Sequence, residues 1–306
     1  MFKHLLVPLD GSQLAEAALP AAVQLAEMLE AEVTLLHVIE RDAPEAVHGE
    51  RHLTDPAEAN AYLQETAHRA FPPGVNVTTH IHASGVDDVA RSITEHVDEL
   101  GAPDLIVLST HGSGGLQEML FGSIAQRVVA KGDTPVLLIQ PRADNSARPF
   151  GCTQILVPLD GNPDHEEGIC IAAEIAAACG GEVYLLQVVP TVETLSGDRA
   201  ATARLLPGAT SALLNIMQAE AESYLRGQCK VLAESGQPVR GEIRRGDPVK
   251  AIVEVAERIG ADLIVLSTHG RSRMDAFWSG SVTPRLATAL DVPMLLVPVE
   301  ESQPER

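Results

Sequence analysis

Two segments of the chain carry the residue types that bind phosphate. Ser109-Thr110-His111-Gly112 is followed, nine residues on, by Gly122-Ser123; Ser267-Thr268-His269-Gly270 is followed at the same spacing by Gly280-Ser281. A glycine has no Cβ, so the backbone there can come close to an anion. A helix that starts at Gly-Ser offers unpaired N–H groups, the positive end of its dipole and a hydroxyl. Each copy also has an aspartate, Asp10 or Asp160, closing an aliphatic run before a glycine. It serves as a turn residue or cap, or as a ligand group, since open α/β sheets bind ligands at the carboxyl ends of their strands. The chain contains neither G-x-x-x-x-G-K-[ST] nor a G-x-G-x-x-G following a strand. His111 and His269 have no readable nucleophile–base partner and are taken as hydrogen-bonding or phosphate-adjacent residues, not catalytic ones. His80 and His82 share one strand face, and His48 and His52 are spaced i, i+4. The second copy has no equivalents and no cysteine lies near them, so they are read as surface or partly buried histidines and not as a zinc site.

The elements that position these residues come twice. HLLVPLDG (4–11) returns as QILVPLDG (154–161), an offset of 154 − 4 = 150, and EVTLLHV (32–38) returns as EVYLLQV (182–188). DLIVLSTHG (104–112) is identical at 262–270, an offset of 158, which Gly122/Gly280 and DTPVLLI/DVPMLLV (133–139, 291–297) keep. The second copy is thus eight residues longer, all of it between its second strand and the shared nine-residue segment. Each copy reads as strand (4–9; 154–159), helix, strand (32–39; 182–189), helix (57–70; 210–234), strand before Gly85 or Gly246, helix (89–100; 249–259), strand (104–109; 262–267), glycine loop, helix from Ser123 or Ser281, and strand (135–140; 293–299). Ser12 is expected to cap the first helix, and Asn162 with Pro163 to open its counterpart. Alternating strands and helices imply an open parallel sheet with right-handed crossovers in each copy. Expected bounds are 1–141 for the first domain, 142–151 for a polar linker, 152–299 for the second domain and 300–306 for a tail.

Composition narrows the role. The 306 residues carry a formal charge of −20, which disfavours nucleic acid and anionic membrane surfaces as partners. Aromatics make up 3%, so aliphatic side chains must build the cores, as in parallel sheets. No apolar stretch reaches a membrane span and no leader is readable, so a cytoplasmic protein is expected. Cys152, Cys170, Cys179 and Cys229 form no C-x-x-C pair and are read as buried, reduced thiols.

VPLDG, the LLHV/LLQV strand, STHG-x9-GS and the last strand, in that order and twice over, resemble the universal stress protein family, in a tandem two-domain form. The resemblance implies Rossmann-like domains of the adenine nucleotide alpha hydrolase type, each with a five-stranded parallel sheet, paired through their last strands as an intramolecular pseudo-dimer. A further homodimer of that pseudo-dimer is compatible with it. It implies that Pro8, Asp10 and Val38, with Pro158, Asp160 and Val188, line an adenine and ribose. Ser109, Gly112, Gly122, Ser123 and Ile124, with Ser267, Gly270, Gly280, Ser281 and Val282, would surround phosphates. Serine replaces the motif's first glycine in both copies, at Ser109 and Ser267. The second loop adds Arg271 and Arg273, which could clamp a triphosphate, so the second site is expected to bind more tightly. The implied ligand is ATP (or ADP or AMP), with Mg²⁺ or Mn²⁺ carried by the phosphates. The implied role is a nucleotide switch acting on a protein partner; a nucleotide-free dimerisation module and a nucleotide hydrolase are the alternatives. No phosphate-reaching lysine or dense carboxylate site is readable, which argues against a fast ATPase.

Overall fold

The computed structural model describes residues 2–41, 46–47, 50–51, 53–99, 102–110, 123–195, 201, 205–269 and 282–299. The first copy runs β1 (His4–Pro8), α1 (Gln13–Glu16), α2 (Leu19–Leu29), β2 (Glu32–Glu40), a small hairpin of β3 (Ala46–Val47) and β4 (Glu50–Arg51), α3 (Pro56–Ala70), β5 (Val77–Val86), α4 (Val89–Glu99), β6 (Leu105–Ser109), α5 (Ser123–Lys131) and β7 (Val136–Ile139). The second runs β8 (Gln154–Leu159), a 3-10 turn (Pro163–His165), α6 (Glu167–Cys179), β9 (Glu182–Val189), α7 (Pro207–Glu234), β10 (Val239–Arg245), α8 (Pro248–Ile259), β11 (Leu263–His269), α9 (Val282–Ala289) and β12 (Met294–Val299).

The main strands form one sheet in the order β10-β9-β8-β11-β12-β7-β6-β1-β2-β5. Within each half every pairing of this sheet is parallel. The halves join where β12 runs antiparallel to β7, with Met294 opposite Leu138, Leu295 opposite Leu137 and Leu296 opposite Val136. The expected pseudo-dimer through the last strands is therefore the observed architecture.

The strands are aliphatic on both faces because helices cover both. Leu5, Val7, Leu137 and Leu295 point into one layer with α2, α3, α6 and α7, while Leu6, Leu138, Ile264 and Leu296 point into the other with α4, α5, α8 and α9. Each such leucine stabilises the fold by roughly 1.5–3 kcal/mol through burial. Both layers run unbroken across the seam.

Local chemistry sets the element ends. Asp55 caps α3 by accepting from the Glu58 amide at 2.9 Å, and Asp247 caps α8 by accepting from Lys250 N at 3.0 Å. Ser12 caps α1 as expected, accepting from the Ala15 amide at 3.2 Å. That helix is cut short because Pro20, near the start of α2, has no N–H to continue the ladder. Asn162 does not open α6 as expected. It precedes the 3-10 turn, and α6 starts at Glu167 with Glu166 as an N-cap that makes no side-chain capping bond. The cause is that Asn162 is drawn into contacts with Asp160 and His165. The extra length of the second copy goes into α7, 28 residues against 15 in α3.

The cysteines depart from expectation. Cys152, at the entry to β8, is joined by a disulfide to Cys179, the last residue of α6, with Cα atoms 6.1 Å apart. The pair is far apart in sequence and follows no motif. It meets because α6 returns over the start of β8 before β9 pairs with it. Cys170 is exposed and Cys229 half-buried. Among the described residues no helix is long and apolar enough to cross a membrane.

Candidate functional site

Each half has the strand order third-second-first-fourth-fifth, so the first and fourth strands lie side by side and their crossovers leave in opposite directions. The crevice between them, beyond their carboxyl ends, is where this architecture binds ligands. In the first copy Pro8 ends β1 with Asp10 two residues beyond, Val38 lies near the end of β2 and Ser109 ends β6, three adjacent strands. Pro158 and Asp160 lie at the end of β8, Val188 near the end of β9, and Ser267 two residues before the end of β11. The structure thus gathers the strand-borne residues singled out in the sequence at one crevice per copy. Ile124 and Val282 stand in the first turns of α5 and α9. Gly112, Gly122, Gly270, Arg271, Arg273, Gly280 and Ser281 lie outside the described residues, as do His48, His52 and His111. Ser123 is described only as the first residue of α5. Among the described residues no His, Cys, Asp or Glu cluster could hold a metal ion.

The Asp-Gly turn is imposed by backbone conformation and by space. Gly11 and Gly161 have φ of +93° and +82°. A Cβ on Gly11 would stand 2.8 Å from Leu53 Cδ1, and one on Gly161 would stand 2.6 Å from Gln187 Nε2. The turn presents each aspartate differently. Asp10 accepts two hydrogen bonds on Oδ1, from Ser12 N at 2.9 Å and Ser12 Oγ at 2.6 Å. Its Oδ2 has no hydrogen bond among the described residues. Asp160 accepts from Asn162 N on Oδ1 at 2.9 Å, while its Oδ2 lies 2.6 Å from His165 Nδ1.

His165 was not singled out in the sequence, and its signal is the contrast between copies, since Ala15 stands at the same place in the first. It is buried, 9% exposed. Its Nε2 faces Asn162 Nδ2 at 3.2 Å, and its backbone carbonyl accepts from Ser267 Oγ at 2.7 Å. The hydroxyl that the sequence offered as a phosphate donor is therefore engaged inside the protein. It fits because a Cβ on Gly168 would come within 2.7 Å of Ser267 Oγ. Ser267 bonds the carbonyl of His165 and not its ring, so Asp160, His165 and Ser267 do not form a nucleophile–base–acid relay.

A second contrast lies one strand over. His37, buried in the first copy, contacts Leu9 O at 2.7 Å through Nδ1 and Leu53 O at 2.9 Å through Nε2. It fastens the segment before α3 over the end of β1. Gln187 takes its place in the second copy, buried, with Oε1 lacking a partner among the described residues.

Behind the crevice, both copies tie the last helix to the helix before it. Asp88 pairs with Arg127 at 3.4 Å and with Lys131, and Asp247 pairs with Arg285 at 3.3 Å. The Lys131 ammonium, with the Arg91 amide and Arg127, holds the Asp88 carboxyl below the usual aspartate range. The Lys250 amide and then Arg285 do the same for Asp247.

The model of the universal stress protein family matches the chain twice, over residues 1–140 and 152–298. The chain belongs to the universal stress protein family. A universal stress protein of Mycolicibacterium smegmatis is 25% identical over 311 aligned residues, covering 96% of each chain. The universal stress protein YxiE of Bacillus subtilis is 34% identical over 153 residues, all of its own length and 46% of this chain. Among solved structures, a universal stress protein from Archaeoglobus fulgidus superposes with a TM-score of 0.68 at 18% identity, covering 96% of this chain and 98% of its own. This family member thus shares its two-domain length with relatives and its fold with a solved one.

Proposed function

We propose that this universal stress protein binds an adenine nucleotide, ATP with Mg²⁺ or Mn²⁺ carried by its phosphates, at the strand ends of each copy. Binding changes its conformation and its hold on a protein partner, with hydrolysis slow or absent. The observation that carries the reading is the gathering of Pro8, Asp10, Val38 and Ser109 at the first copy's crevice. There the residues fit the ligand: Asp10 offers a ribose hydroxyl a carboxylate oxygen that has no hydrogen bond among the described residues, and Val38 and Pro8 give an apolar edge for a base. Gly112, Gly122 and Ser123, with α5 behind them, would take the phosphates, as Gly270, Gly280 and Ser281 would in the second copy. Slow or absent hydrolysis is supported by a sequence with no Walker A lysine to reach the phosphates and no readable dense carboxylate site.

The test is denaturation of freshly purified protein followed by mass analysis of the released ligand, together with thermal melting in excess ATP. An adenine nucleotide should be released. Saturation at about 100 times Kd should stabilise the fold by about 2.7 kcal/mol, and the double variant Asp10→Ala, Asp160→Ala should lose that shift. A nucleotide-free preparation whose melting ignores ATP would exclude the reading in favour of an interaction module.

A further inference from the structure

We propose that His165 is a specificity-determining latch on the second site: it holds in cis the carboxylate oxygen of Asp160 that a ligand hydroxyl needs, and so lowers that site's affinity for nucleosides and nucleotides. The proposal rests on the nucleotide reading above.

The two copies supply the comparison within one molecule. Asp10 engages a single oxygen, on Ser12, and its Oδ2 has no hydrogen bond among the described residues. Asp160 spends both, one on Asn162 N and one on the imidazole. The latch is built from more than one contact. Ser267 Oγ pins the carbonyl of His165, Gly168 leaves room for that hydroxyl, and Asn162 Nδ2 meets the far ring nitrogen. Ala15 and Ser12, at the corresponding places in the first copy, can make none of these ring contacts. A ligand hydroxyl reaching Asp160 Oδ2 must therefore share that oxygen with a buried imidazole, whereas Asp10 Oδ2 has no such competitor among the described residues. The latch acts against any gain from Arg271 and Arg273.

The experiment is calorimetric titration of the full chain with Mg-ATP in an Asp10→Asn background, which isolates the second site. Adding His165→Ala should tighten binding about tenfold, the worth of one charge-assisted hydrogen bond. Unchanged or weaker binding would overturn the latch. If His165→Ala does not fold, the Asp10→Asn chain with ¹⁵N-labelled histidine gives the same answer: the His165 ring signals should move as ATP binds, and bound ATP that leaves them in place overturns the proposal. Failure of the wild-type chain and every variant to bind ATP overturns the nucleotide reading itself, an outcome distinct from ATP binding that ignores His165.

Discussion

Asp104 and Asp262 open the nine-residue segment that the two copies share without change, and their work is structural. Asp104 accepts from Lys3 N at 2.7 Å and His4 N at 3.0 Å. Asp262 accepts from Thr153 N, Thr153 Oγ1 and Gln154 N at 3.0, 2.8 and 2.9 Å. Each fixes the start of its copy's first strand against the fourth, at the sheet edge away from the crevice. Asp262→Ala leaves those donors unpaired and should cost about 1–3 kcal/mol in urea unfolding, with ATP affinity unchanged. The caps Asp88 and Asp247 set an acid limit. Their carboxyls titrate below the unfolded value of about 3.9, so their stabilisation is present above that value and is lost as pH falls through the lower folded values. Asp247→Asn keeps a capping oxygen but removes the charge. Its stability should fall less steeply than wild type below about pH 4, read from denaturant midpoints across pH. At this scale the sequence exposes residues with a motif and hides those defined by a neighbour. Asp10, Asp160, Ser109 and Ser267 were legible from their place after aliphatic runs. His165 was not, because its meaning depends on a 3-10 turn that swings it back onto Asp160.

Strands and helices were legible because their signals are local. The aliphatic runs and the aspartate caps of α3 and α8 mark their own ends. What the sequence reading missed is partly local, the cut at Pro20 between α1 and α2 and the β3–β4 hairpin, and partly a matter of packing, the disulfide that links α6 to the entry of β8. The seam strands carry a test at this level. Leu295 is 1% exposed and lies opposite Leu137. Protease cleavage within residues 142–151 should leave two fragments that co-elute in gel filtration, because both apolar layers cross the seam. Adding Leu295→Asp, which buries an unpaired charge, should separate or unfold them. Separation of the cleaved wild-type halves would show that the linker and not the sheet holds them.

Over the whole molecule, duplication was read from constant offsets of 150 and 158 residues, and the ten-stranded sheet follows once the last strands pair. The antiparallel step at β7 and β12 also reverses one half relative to the other. The carboxyl ends of the first copy's strands, with Asp10, open at one edge of the sheet; those of the second, with Asp160, open at the opposite edge. The two crevices therefore open at opposite edges of one sheet. If each crevice binds as proposed, the chain is divalent in the manner of a connector, with its two binding ends facing opposite ways.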